Sequence, residues 1–177
     1  KLAYVTEDQQ TFYMLMDGSI YQVNLATLET KTVKDGLQLG CVEGSRTGRY
    51  VAYLKENEPY DSQTITMVDL NTGKTNEITC QDSERIRILG YLGESLVYGI
   101  ADTEDIDAGQ EGTELFPMRQ VNIVDENAQP VKEYAQTGYY VTGGEITDRL
   151  LTMTRVKKSG NDWEETSEDH IIDNEAE

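Results

Sequence analysis

"ITMVDLNTGKTNEIT", residues 65–79, decides the fold. Its first half alternates: Ile65 and Met67 share a face with Asp69, while Thr66, Val68 and Leu70 share the other. That two-residue period is a strand. Asn71-Thr72-Gly73 is turn chemistry, because Asn tolerates the left-handed region and Gly supplies positive φ. "KTNEIT" then returns as a second strand. Upstream, "GRYVAYLKE" at 48–56 is another alternating strand, and "NEPYDSQ" at 57–63 links the two.

Weaker copies of this layout recur. "SIYQVNLATLETKTV", 19–33, has Asn24 where the first copy has Asp69, and "TFYMLM" with Asp17-Gly18 precedes it. Asp-Gly between alternating runs is a strong hairpin signal. "RQVNIVDENAQPVKEY", 119–134, carries Asp125 at the marker position, with "LVYGIA" before it. "RLLTMTRV", 149–156, and "DHIIDNEAE", 169–177, begin a fourth copy marked by Asp173. The markers Asn24, Asp69, Asp125 and Asp173 are separated by 45, 56 and 48 residues, and residues 102–114 form an insertion in the longest interval. First strands are expected at "LAYV", "LQLGCVE", "RIRILGYL" and "YYVTGGE". No window keeps a helical apolar stripe, and only three Pro interrupt the chain. Four strands in units of roughly 40–50 residues are the pattern of propeller blades. The expected units are 1–35, 36–81, 82–136 and 137–177. They make one all-β domain of antiparallel four-stranded blades, about three and three-quarter blades, as an open arc or part of a larger propeller. The fourth strand of the last unit is missing, so its edge is expected to invite self-association, and the parent protein is expected to continue.

The units resemble TolB-like β-propeller repeats. The resemblance is carried by "GRYVAYL…ITMVDLNTGKTNEIT": a strand after a Gly-Arg turn, a strand ending in Val-Asp-Leu, then a Thr-Gly turn. It covers 48–79 well and the rest loosely. "ILGYLGESLVYGIA" and "FPMRQVNIVDENAQPVKEY" are also similar to the propeller part of uncharacterised bacterial cell-envelope proteins. Asn24 in the first unit departs from the repeat. The resemblance implies an extracytoplasmic place on the bacterial cell surface and no particular chemistry.

Composition bounds the partners. With 15 basic and 33 acidic residues the formal net charge is −18 and the pI near 4.3. Such a surface repels phosphate backbones and anionic lipid, so no nucleic acid is expected. No apolar run approaches the roughly 20 residues that span a bilayer, so no membrane insertion by this segment is expected. The chain opens at Lys1 without a Met or a signal peptide, so its start reads as processed or chosen. Cys41 and Cys80 alone make neither a zinc site nor a disulfide framework. Placed at the first and fourth strands of one unit, they fall roughly 14 Å apart. A disulfide needs Cα atoms within about 7 Å, so free thiols are expected.

Few stretches suggest chemistry. "DTEDIDAGQEGTE", 102–114, holds six acids and no base. Asp102, Glu104, Asp105 and Asp107 are hard oxygen ligands suited to calcium, but the EF-hand spacing fails at Ile106 and Gly109. The plainer reading is a solvated, mobile loop extended by its own repulsion. Residues 161–177 hold eight acids and no Lys or Arg. Trp163, the sole Trp, is expected in a long loop there. It either contacts a sugar or partner or packs on its own hairpin. His170, the sole His, lies beside Glu168 and Asp169, which favour its protonated form. No nucleophile motif accompanies it, so it reads as a surface residue at the start of a strand. "GYLGES" and "GGE" lack the Lys-Ser/Thr ending of phosphate loops, and no cofactor is expected. The function expected is a non-catalytic interaction or scaffold module with a protein or glycan partner. The rival readings are the propeller lid of a serine peptidase whose catalytic domain lies elsewhere, and a carbohydrate-binding or hydrolysing propeller.

Overall fold

The computed structural model describes residues 2–109 and 112–173. Among the described residues, fifteen strands form four antiparallel sheets, each a meander in chain order. Blade 1 contains β1 (Leu2–Val5), β2 (Thr11–Met16), β3 (Ser19–Asn24) and β4 (Thr30–Lys34). Blade 2 contains β5 (Val42–Gly44), β6 (Tyr50–Leu54), β7 (Thr64–Asp69) and β8 (Thr75–Thr79). Blade 3 contains β9 (Glu84–Leu92), β10 (Ser95–Asp102), β11 (Gln120–Val124) and β12 (Pro130–Tyr134). Blade 4 has three strands among the described residues, β13 (Tyr139–Thr147), β14 (Leu150–Ser159) and β15 (Asp162–Ile172).

The marker residues explain the repeat. Asn24, Asp69 and Asp125 each cap the turn between the third and fourth strands of their blade. Asn24 Oδ1 accepts from the amides of Ala26 and Thr27. Asp125 Oδ1 accepts from those of Asn127 and Gln129. Asp69 Oδ1 accepts from Asn71 N, and its carboxylate also takes two bonds from Arg49, Nε at 3.0 Å and Nη2 at 2.9 Å. A short side chain that bonds two residues ahead closes the turn without a helix or ladder partner. At Asp17-Gly18 both residues have positive φ, +50° and +72°, as a two-residue hairpin turn requires. A Cβ on Gly18 would sit 2.3 Å from Leu37 O, so that position admits only Gly.

Three apolar layers join the four blades. Leu2, Ile20, Leu37, Val51 and Leu70 fill the space between blades 1 and 2. Ala52, Leu54, Ile65, Met67, Ile86, Ile88 and Leu96 fill that between blades 2 and 3, with Cys41 buried in it and Cys80 against it. Val97, Phe116, Met118, Val121, Val141, Leu151, Met153 and Ile171 fill that between blades 3 and 4. Among the described residues no such layer joins blade 4 to blade 1, so the arrangement is an open arc. Strand alternation puts Leu2, Tyr4, Tyr13, Leu15 and Ile20 of blade 1 toward blade 2. It leaves Ala3, Val5, Phe12, Met14, Met16, Tyr21 and Val23 on the opposite, uncovered face.

Several expectations need correction. The first strand of blade 2 is Val42–Gly44, not 37–43, because Leu37 is drawn into the blade 1–2 layer and Gln38 bonds Asn57 across the loop. Residues 162–169 are strand, not loop. β15 pairs with β14 from Asp162 to Ile172, with a bulge opposite Met153–Arg155. The acid-rich composition disfavours a strand, but an available pairing edge outweighs intrinsic preference. His170 accordingly lies near the end of β15, paired with Thr152, rather than at a strand start. The insertion is not simply a mobile loop. Thr103–Asp105 forms a 3₁₀ turn, Asp107 bridges Leu115, and Phe116 and Met118 are core. Residues 110–111 and 174–177 lie outside the described residues. Cys41 and Cys80 are both free thiols, and burial pushes both thiol pKa values up.

Candidate functional site

The meander sorts its turns onto two rims. The upper rim carries the turns between second and third strands and the links between blades. The lower rim carries the turns between first and second strands and between third and fourth strands.

Several upper-rim charges pair with one another. Arg119 bridges Glu84 and Asp102, Arg85 pairs with Asp61, and Lys158 of blade 4 pairs with Asp105 of the insertion. Two of the four candidate calcium ligands therefore hold cations of the chain itself. A third, Asp107, turns its Oδ1 onto Gly109 N, and Glu104 is exposed. Trp163 packs edge-on against Tyr140, ring centroids 5.0 Å apart, with Lys158 Nζ 5.4 Å from its own ring. It thus packs within its own hairpin blade. His170 is exposed, and its amide donates to Asp169 Oδ1. Lys158 thus brings Asp105 of the insertion and Trp163 together, whereas His170 lies apart, toward the other end of β15. Beneath this rim Arg155 is buried and donates to Ser167 O, Tyr134 Oη, Gln136 Oε1 and Asp169. This network ties blade 4 to blade 3.

The lower rim differs from one blade junction to the next. Between blades 1 and 2, Tyr4 Oη and Glu7 N both donate to Asn71 Oδ1, and Arg49 Nη1 pairs with Glu7 at 2.8 Å. Between blades 2 and 3, Thr47 N and Oγ1 donate to Glu94, Arg46 N to Gly93 O, Lys74 Nζ to Asn127 Oδ1 and Asn76 Nδ2 to Glu126 O. At the blade 3–4 junction lies a groove of about 430 Å³. That size is in the range of ligand sites. Its floor is Leu92, Ile123 and Ile171, each nearly buried, with Val131 at 56% exposure on its flank. Its walls carry Arg46 from blade 2, Lys132 from blade 3 and Arg149 from blade 4, together with Glu94, Asp125, Glu126, Asp148 and Asp173.

Sequence reading did not find this groove. Arg46 and Arg149 each sit in a short turn, "GSRTG" and "TDRL", and a charged turn residue is ordinary. Only the ranking of blades brings the three cations together above an aliphatic floor.

No protein family and no curated protein matches the chain. Solved structures do. The β-propeller domain of the Trilobed protease from Pyrococcus furiosus is similar at 10% identity and TM-score 0.43, over 92% of this chain and 56% of that one. A prolyl endopeptidase is similar at 14% identity and TM-score 0.46, over 87% of this chain and 23% of that one. The putative TolB from Agrobacterium tumefaciens is similar at 14% identity and TM-score 0.31, over 92% of this chain and 72% of that one. The chain spans about half the length of the first of these, 56%, and less of the second, 23%. Its structural neighbours thus include TolB-like and peptidase propeller domains.

Proposed function

We propose that the chain is a non-catalytic interaction module of the bacterial cell surface, and that its ligand is a protein segment seated in the lower-rim groove between blades 3 and 4. One observation carries this reading. The groove combines an aliphatic floor with charged walls from three blades. Such a mix on rigid turns suits recognition of a polypeptide. Sugar recognition gains less support, since no aromatic ring lines the groove among the described residues. The resemblance of the repeats supports the cell-surface place.

Site-specific photocrosslinking tests the reading. A photoreactive side chain at Val131 in the groove is expected to yield a discrete protein adduct in the producing bacterium. The same group at Leu28, 72% exposed on a blade 1 turn, is expected to yield none. Equal adducts from both positions, or none from Val131, would reject the groove as the ligand site.

A further inference from the structure

Most of the described cations are engaged. Arg49, Lys55, Arg85, Arg119, Arg155 and Lys158 form ion pairs. Lys74 bonds Asn127, and Lys34, Arg87 and Lys157 lie over aromatic rings. Among the described residues this leaves Lys31, Arg46, Lys132 and Arg149 with no ion pair, side-chain hydrogen bond or ring contact. Three of these four line the one groove, each from a different blade. In a chain of net charge −18, where acids outnumber bases 33 to 15, uncommitted cations are scarce. Their gathering at one place is the unusual feature.

The groove's acids are less free than its cations. Glu94 is held by Thr47 N and Oγ1 at 3.0 and 2.9 Å, and Asp125 is folded onto its own turn. Glu126 accepts from the neighbouring Asn127 Nδ2. Asp148 and Asp173 complete the wall. A ligand with dense negative charge, such as a phosphate, would meet these five carboxylates. A single carboxylate would meet the guanidinium groups in the forked geometry they favour. The nearly buried Leu92, Ile123 and Ile171 reward an aliphatic side chain beside that carboxylate.

We propose that the groove recognises a partner polypeptide segment in which an Asp or Glu side chain neighbours Leu, Ile or Val, with Arg46, Lys132 and Arg149 receiving the carboxylate and the aliphatic floor receiving its neighbour. The inference rests on the groove being the ligand site. It names the class of ligand, which the groove reading alone does not.

Selection from a displayed library of random peptides tests it while the natural partner is still unidentified. The intact chain is the bait, compared with Arg46→Glu/Arg149→Glu and with Val131→Asp. All three positions are exposed and make no side-chain ion pair, so the variants are expected to keep the fold, checked by circular dichroism and thermal melting. The wild type is expected to enrich peptides pairing Asp or Glu with Leu, Ile or Val. A selected peptide is expected to bind the double-arginine variant at least about tenfold more weakly, a change of about 1.4 kcal/mol. Val131→Asp is expected to weaken it as well. Enrichment of basic peptides that Val131→Asp abolishes would overturn the ligand class and leave the groove as the site. No enrichment, or binding indifferent to both variants, would overturn the ligand class and the groove together.

Discussion

Asp69 is the residue on which the repeat turns, and its removal gives a measurable test. Its carboxylate accepts Arg49 Nε and Nη2 at 3.0 and 2.9 Å and Asn71 N at 2.9 Å. Arg49 in turn reaches Glu7 of blade 1, so the carboxylate also orders a blade junction. A hydrogen bond to a charged group contributes roughly 1.5–3 kcal/mol when well shielded. The Asp69 side chain is 14% exposed and that of Arg49 29%, so solvent screens part of this. Asp69→Ala is therefore expected to cost about 2–3 kcal/mol. Asp69→Asn keeps the turn bond and loses the charge, so it is expected to cost about 1 kcal/mol. Partial burial pushes the Asp69 carboxyl up, but the bonds from Arg49, Asn71 N and Thr72 outweigh it and hold it below the usual range. A depressed folded-state pKa means the stabilisation is complete above the unfolded value of about 3.9 and is lost as pH falls through the folded one. Urea unfolding at pH 7, 5 and 3 measures both effects. The gap between wild type and Asp69→Asn is expected to hold from pH 7 to 5 and to narrow below about pH 4. An Asp69→Ala variant within about 0.5 kcal/mol of wild type, the range of an ordinary surface change, would refute the role of the marker.

Tyr91 Oη is the one buried side-chain polar atom without a partner among the described residues, so Tyr91→Phe is expected to raise stability by about 1 kcal/mol; a loss of that size by urea unfolding would mean a bound water or another partner satisfies it. Millimolar calcium is expected to leave the melting temperature unchanged, because Asp102 and Asp105 already hold Arg119 and Lys158; a rise of several degrees that Asp105→Asn abolishes would make the insertion a site. Light scattering is expected to show apparent mass rising with concentration, through the uncovered apolar face of blade 1 and the edge of β15, which no strand pairs among the described residues. Phe12→Glu is expected to reduce that rise, and a strictly monomeric wild type across the series would refute it.

The blades were legible in the sequence because what makes them is local. Alternation with period two marks β6 and β7, Asp17-Gly18 fixes one hairpin, and the side chains of Asn24, Asp69 and Asp125 close turns within a few residues of themselves. Such signals depend on nearest neighbours along the chain. β15 was not legible in full, because "DWEETSEDH" lacks strand propensity and is held by the edge of β14, a partner that local composition does not reveal. The commitment of Asp105 to Lys158, 53 residues away, was equally invisible. So was the groove: Arg46, Lys132 and Arg149 belong to three blades, the two arginines in unremarkable turns and Lys132 on β12. The sequence alone therefore determined the repeating unit and its turns. The order of the blades in space decided which charges found partners, which stayed free and where they met, because those outcomes depend on distances between segments that only the packed arc brings together.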